Sequence, residues 1–90
     1  MQKAIITVVG QDQVGIIAKV CTYLADAKIN ILDISQTILQ GYFNMMMIVD
    51  VTQSNDEFAT LSEELEKLGQ DIGVSIKLQH EDIFHKMHRI

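Results

Sequence analysis

The chain has 90 residues, 48% of them hydrophobic and 21% charged, so it can form one ordinary globular domain and is not of the disordered class. It has 7 basic and 12 acidic residues, a formal net charge of −5, and no dense Lys/Arg cluster, which argues against nucleic acid as a partner. The apolar runs are too short for a membrane span and no signal peptide is recognisable, so we expect a cytoplasmic protein without membrane contact.

The first elements are a strand and a helix. Residues 3–9 are apolar and largely β-branched, which favours a covered strand that ends at Gly10. From about 14 to 27, apolar residues recur at helical spacing, and Asp12 is a candidate N-cap. The lone Cys21 falls in this apolar helical stretch and is interpreted as a buried structural thiol.

A hairpin follows, because residues 29–39 and 42–51 alternate with period two around Gln40-Gly41. A two-residue turn there predicts that Leu39 pairs with Tyr42, which sorts the side chains by face. The apolar face, which we expect helices to cover, holds Leu32, Ile34, Ile38, Phe43, Met45, Met47, Val49 and Val51. The opposite, half-polar face holds Asp33, Ser35, Thr37, Leu39, Tyr42, Asn44, Met46, Ile48 and Asp50.

The second half predicts a helix, a strand and a short terminal helix. Ser54 and Glu57 have the spacing of a capping box, and Gly73 is a plausible helix stop. The apolar face of this second helix is formed by Phe58, Leu61, Leu65, Leu68 and Ile72. Residues 74–79 alternate as a last strand. Beyond them we expect a short helix whose Ile83, Phe84 and Met87 pack on the domain or on a neighbour.

The order strand, helix, strand, strand, helix, strand predicts an α+β fold of the ferredoxin-like βαββαβ type. Its four-stranded antiparallel sheet carries two helices on one face, and a short C-terminal helix is added. Many unrelated functions use this fold, so the fold alone does not name one.

Catalytic and cofactor motifs are missing from the sequence. The serines lie in no nucleophile turn, and the acids cannot be paired as acid and base by spacing. Gly10 and Gly15 do not form a phosphate-binding loop. The first loop lacks the Cys-x-x-Cys pair of soft-metal carriers, and the first strand lacks the aromatic residues of RNA-binding domains. We therefore expect no enzyme activity and no cofactor.

One metal hypothesis remains at the C-terminus. Glu81, His85 and His88 fall on one side of a predicted helix, where imidazole and carboxylate groups could hold zinc or nickel. A solvated polar face is the simpler interpretation of the same residues, and we favour it.

The first loop and the start of the second predicted strand carry the most specific pattern. The run VVGQDQVGIIAKVCTYLADAKINILDISQT resembles the ACT domain, and in particular the small stand-alone bacterial ACT proteins similar to the glycine cleavage repressor. The family pattern, Asp-x-x-Gly-Ile followed by Asn-Ile, is matched by Asp12, Gly15, Ile16, Asn30 and Ile31. Val14 departs from it, because the family usually has proline there. The resemblance covers residues 3–78.

The resemblance implies an ACT-like regulatory domain over 1–79, followed by a helical tail over 80–90. It further implies binding of an amino acid or related small metabolite at an interface between two such domains, without catalysis. A homodimer is expected, with a regulated enzyme or regulator as a further partner. The residues expected to bind the ligand are Asp12, Gln13, Val14, Gly15, Ile16, Asn30 and Ile31.

Elementary chemistry makes this site plausible. A helix that begins near Gly15 presents free N–H groups to a carboxylate, and Asn30 can donate or accept hydrogen bonds. Two alternatives stay open: an interaction module that binds no metabolite, and a metal-responsive protein that uses the C-terminal histidines.

Overall fold

The computed structural model describes residues 2–11, 14–54 and 56–80, and its elements follow the predicted order. They are β1 (Lys3–Gln11), α1 (Ile16–Asp26), β2 (Asn30–Leu39), β3 (Tyr42–Asp50), α2 (Phe58–Ile72) and β4 (Val74–His80). The strands form one antiparallel sheet in the order β2-β3-β1-β4, which confirms the ferredoxin-like fold. His80 ends β4, and the rest of the predicted tail lies outside the described residues.

The register gives the sheet a helix-side face and an outer face. Ile6 of β1 pairs with Met47 of β3 on one side and with Leu78 of β4 on the other. These side chains are buried on the helix-side face, where they pack into the core with the inward residues of both helices. Residues of the opposite parity, such as Thr7 and Met46, form the outer face.

Each helix buries the side chains along one of its faces. In α1 the buried residues are Ile16, Val20 and Leu24, and in α2 they include Leu61 and Leu65, at the four-residue spacing of a single helical face.

The end of α2 is fixed by two glycines. A Cβ on Gly69 would lie 2.6 Å from the carbonyl oxygen of Val74, so only glycine lets α2 approach β4 this closely. Gly73 adopts φ 80° and donates its N–H to the Gly69 carbonyl, which confirms it as the helix stop.

The hairpin also forms as predicted. Leu39 pairs with Tyr42, and Gln40 and Gly41 both have positive φ, 51° and 81°, as a type I′ turn requires. Of the three consecutive methionines, Met45 and Met47 are fully buried and Met46 is exposed on the outer face.

The capping box predicted at Ser54 is wrong. Glu57, in extended conformation, precedes the first turn of α2, and its side chain makes no cap hydrogen bond. The Ser54 hydroxyl instead accepts a hydrogen bond from the Asp56 backbone N–H at 3.3 Å, so it closes a turn before the helix begins.

The prediction that helices cover the apolar side chains of β2 is also wrong. Leu32, Ile34 and Ile38 are 40%, 44% and 55% exposed. The register shifts between Ile31 and Asp33, so Leu32 is the extra residue of a β-bulge and Ile31 takes the position that packs against the core. The buried helix-side residues of the sheet belong to β3, β1 and β4, which leaves β2 as an uncovered edge.

Candidate functional site

The turn between β1 and α1 is built around Gly15. This residue has φ 92°, in the left-handed region that residues with a Cβ adopt at a cost. A Cβ placed there would meet nothing within 4 Å in the part of the chain that the structure describes. Gly15 is therefore required by the backbone conformation rather than by close packing against the described residues.

Among the described residues, no side chain caps the N-terminus of α1. Gly15 precedes the helix, its carbonyl accepts the first helical hydrogen bond from the Lys19 N–H at 3.0 Å, and the first turn contains no acidic residue. The first N–H groups of a helix have no partner inside the helix, and the helix dipole places partial positive charge there. This end of α1 is thus suited to an anionic group such as a carboxylate.

The residues around Gly15 differ in what they offer to a ligand. Val14 is fully exposed, whereas the side chain of Ile16 is buried in the core, so only the backbone of Ile16 is available. Asp12 and Gln13 lie outside the described residues.

Asn30 and Ile31 lie at the other end of the sheet. Asn30 pairs with Asp50, which in turn pairs with Lys3 at the start of β1. Gly15 follows the end of this nine-residue strand, and nine residues span roughly 30 Å. The structure therefore does not bring Asn30 to Gly15 within one chain. Asn30 is exposed, while Ile31 is half-buried against the core.

Asp50 pairs with Asn30 and accepts hydrogen bonds from Thr52 that the sequence pattern does not predict. Its Oδ1 accepts hydrogen bonds from the Thr52 hydroxyl at 2.5 Å and the Thr52 N–H at 3.0 Å. The Thr52 hydroxyl oxygen also accepts a hydrogen bond from the Gln2 N–H at 2.7 Å. The Thr52 hydrogen bonds, first that from the side chain, lower the pKa of Asp50. An ionised carboxylate beside the Asn30 amide is suited to an ammonium group.

Three depressions in the described part of the surface lie away from Gly15. They have volumes of about 390 to 400 Å³: one between α2 and β4, one beside Tyr23 between the helices, and one on the outer face near the hairpin turn. Gly15 lines none of these three depressions.

Among the described residues, no group of three or more His, Cys, Asp or Glu side chains could hold a metal ion. The alternative metal ligands Glu81, His85 and His88 lie outside those residues. Cys21 is half-buried on α1. No helix within the described part of the chain is long and apolar enough to cross a membrane.

Comparison with known proteins agrees with the fold and with the predicted family. A family model described as "ACT domain" matches residues 2–79. The chain belongs to the ACT domain family. It is 64% identical over 90 residues to a UPF0237 protein of Bifidobacterium longum, with 100% of both chains covered.

Solved structures of ACT proteins resemble the chain closely. An ACT domain protein from Streptococcus pneumoniae is 46% identical, with a TM-score of 0.82 over 92% of this chain and 93% of that one. A putative glycine cleavage system transcriptional repressor is 27% identical, with a TM-score of 0.76 over 87% of this chain and 44% of that one. The ACT family match supports a ligand-binding regulatory domain rather than a catalytic one.

Proposed function

We propose that the chain is a regulatory domain that binds an amino acid, or a related small metabolite, between two copies of itself. The observation that carries this proposal is the open first turn of α1, which follows the left-handed Gly15 and has no side-chain cap among the described residues. Its N–H groups would bind the ligand's carboxylate. ACT membership supports the regulatory role.

The β2 edge is the surface that a second copy would cover. It ends the sheet and leaves backbone N–H and C=O groups on that side available for pairing. Ile34 and Ile38 are exposed on its helix-side face, and Ile17 at the start of α1 is exposed too. A domain of this size buries only about 60 to 65% of its unfolded surface, so covering these side chains would add stability.

Two-fold pairing at β2 would also complete the site. If β2 pairs antiparallel with β2 of a second copy, the start of one strand lies beside the end of the other. The end of β2, at Leu39, is at the same end of the sheet as Gly15, because Leu39 pairs with Tyr42 and Tyr42 pairs with Gln11. Asn30 of the second copy would thus lie at the same end of the joined sheet as the Gly15 turn, whereas Asn30 of the same chain lies at the opposite end.

The ligand chemistry follows from this arrangement. A carboxylate would be bound by the α1 N-terminus of one copy, and the ammonium group would lie near Asn30 and Asp50 of the other. A molecule that carries both groups, such as an α-amino acid, would bridge the two copies. Binding would then be linked to dimerisation, which is how we propose that the domain signals to a regulated enzyme or regulator in the cytoplasm.

A thermal-shift screen of the full chain against the common amino acids tests this function. At one hundred times its dissociation constant, a ligand specific for the folded protein adds about 2.7 kcal/mol, which is roughly 10 to 20 °C for a domain of this size. Asn30→Ala should abolish the shift while the protein stays folded. Asn44→Ala, which truncates an exposed asparagine on the outer face, is the matched control and should leave the shift intact.

The exposed β2 edge also favours one other function, an interaction module that needs no metabolite. A screen in which no amino acid shifts the melting point, together with a dimer that depends on Ile34, would support that module and overturn the proposal of a metabolite site.

A further inference from the structure

The outer face of the sheet has an apolar centre between two halves of opposite charge. Ile5 pairs with Ile48 at the centre, and Met46 lies in the next outward-facing position along β3. The half formed by β1 and β4, here called the basic half, carries Lys3 and Lys77. The half formed by β2 and β3, here called the acidic half, carries Asp33 and Asp50.

The exposure of the outward residues of β1 falls steeply along the strand. Val9 is 46% exposed, Thr7 is half-buried and Ile5 is only 4% exposed. Ile5 pairs with Gln79, one residue before β4 ends at His80. The outer face is therefore best shielded where the chain leaves β4, although both α1 and α2 lie on the opposite face.

The segment 81–90 begins at that point and matches the face in length and apolarity. Its Ile83, Phe84 and Met87 recur at the spacing of one helical face. A helix of ten residues is about 15 Å long. The distance from β4 across the sheet to β2 is about 14 Å, at roughly 4.8 Å between neighbouring strands.

We propose that residues 81–90 dock as a helix across the outer face of their own chain, from β4 towards β2. Ile83, Phe84 and Met87 cover the apolar centre at Ile5 and Ile48. This proposal does not rest on the amino-acid site.

The order of charges in the segment agrees with this direction. Glu81 and Asp82 come first and fall over the basic half of the face, while Lys86 and Arg89 come later and fall over the acidic half. The reverse direction would place like charges together. An isolated ion pair at a surface contributes little, but two matched sets of charges fix the orientation of a segment.

The docked segment would leave the β2 edge as the surface for a second copy. It would also keep the outer faces of two chains from packing on each other through Met46 and Ile48.

Isotope-filtered nuclear Overhauser measurements on the full chain test the docking directly. We expect contacts from the Phe84 ring protons to the methyl groups of Ile5 and Ile48. In a sample that mixes labelled and unlabelled chains, these contacts should be absent between different chains. Contacts seen only between chains would mean that the segment covers a second copy, and the absence of contacts in both samples would mean that it lies elsewhere. Either result overturns the proposal.

Substitutions in the segment give a second test. Phe84→Ala should lower the melting point by at least about 4 °C, since about 1 kcal/mol lowers it by 4 to 8 °C in a domain of this size. His85→Ala truncates the opposite side of the same predicted helix and should leave the melting point within about 2 °C of the wild type. Equal melting points for the two variants would contradict the docking.

Discussion

The phenolic hydroxyl of Tyr23 donates a 2.6 Å hydrogen bond to Oε1 of Glu64 and so joins α1 to α2. Partial burial of the ring, and then the Glu64 carboxylate, raise the pKa of Tyr23 well above its ordinary value near 10. The bond ties together the two helices at the edge of the hydrophobic core, against which the Tyr23 ring packs. It also makes part of the stability depend on alkaline pH.

We expect Tyr23→Phe to cost up to about 1 kcal/mol at neutral pH, because it removes one partly exposed hydrogen bond. The folded chain holds the phenolic proton more tightly than the unfolded chain does. The stabilisation is therefore complete below pH 10 and is lost as the pH rises from 10 towards the higher folded pKa. Denaturant unfolding between pH 8 and 11 should show a smaller alkaline loss for Tyr23→Phe than for the wild type. Tyr42→Phe, at an exposed tyrosine, is the control, and a wild-type slope in Tyr23→Phe would contradict the account.

The hydrogen bonds around Asp50 predict the opposite behaviour in acid. The pKa of Asp50 is lower in the folded chain, first because of the hydrogen bond from the Thr52 side chain. The stabilisation is present above the unfolded pKa, near 3.8, and is lost as the pH falls through the folded value. Thr52→Val should therefore reduce the loss of stability between pH 5 and 2, measured by denaturant unfolding. Thr37→Val, at an exposed threonine of β2, should not change it.

The sequence correctly predicts the helices and strands whose position depends on residues that are close together in the chain. The alternation of Met45, Met46 and Met47 indicated which faces they occupy, and Gln40-Gly41 indicated the turn and the pairing of the hairpin. The bulge at Leu32 changes the parity of the alternation, because Ile31 and then Ile34 take the helix-side positions. The consecutive apolar residues Ile31 and Leu32 do not show from the sequence which of them is the extra residue. The apolar pattern predicts a helix-covered β2, and only the exposure of Ile34 and Ile38 in the structure shows that this edge is uncovered.

The sequence predicts which residues belong to the candidate site but not where they lie relative to one another in the fold. Gly15 and Asn30 belong to one sequence pattern, but the length of α1 and the register of β1 with β3 separate them. The predicted hairpin register places Asp50 opposite Ile31, and the bulge at Leu32 brings it opposite Asn30. The hydrogen bonds from Thr52 to Asp50 depend on the turn after β3, which the strand pattern does not predict.

Two glycines with similar backbone conformations allow a matched test of the Gly15 turn. Gly15 and Gly41 have φ of 92° and 81°, and a Cβ on either meets nothing within 4 Å in the described part of the chain. Alanine at either position should cost about 1 to 2 kcal/mol from the left-handed conformation alone. Only Gly15→Ala should also weaken the amino-acid response in the thermal-shift assay. Equal responses in both variants would contradict a ligand that approaches the Gly15 backbone.

Pairing of two copies at the β2 edge predicts that one charged substitution on this strand will dissociate the dimer. Ile34→Lys should shift the sedimentation of the full chain to that of a monomer at micromolar concentration, because it puts an ammonium group into an apolar contact. The variant should stay folded, since Ile34 is exposed in the single chain. Thr37→Lys, on the outer face of the same strand, should leave the dimer intact. A dimeric Ile34→Lys protein, or a monomeric wild type, would contradict pairing at β2.

The central claim is that one amino acid contacts the α1 N-terminus of one copy and the start of β2 of another. An amide chemical-shift titration of the ¹⁵N-labelled full chain with the amino acid that gives the largest thermal shift tests it most directly. The account predicts that the amides of Gly15, Ile16 and Ile17 shift together with those of Asn30 and Ile31, with one common dissociation constant. It also predicts that Ile34→Lys abolishes both sets of shifts. Shifts confined to one of these two regions, or shifts that persist unchanged in the monomeric variant, would contradict it.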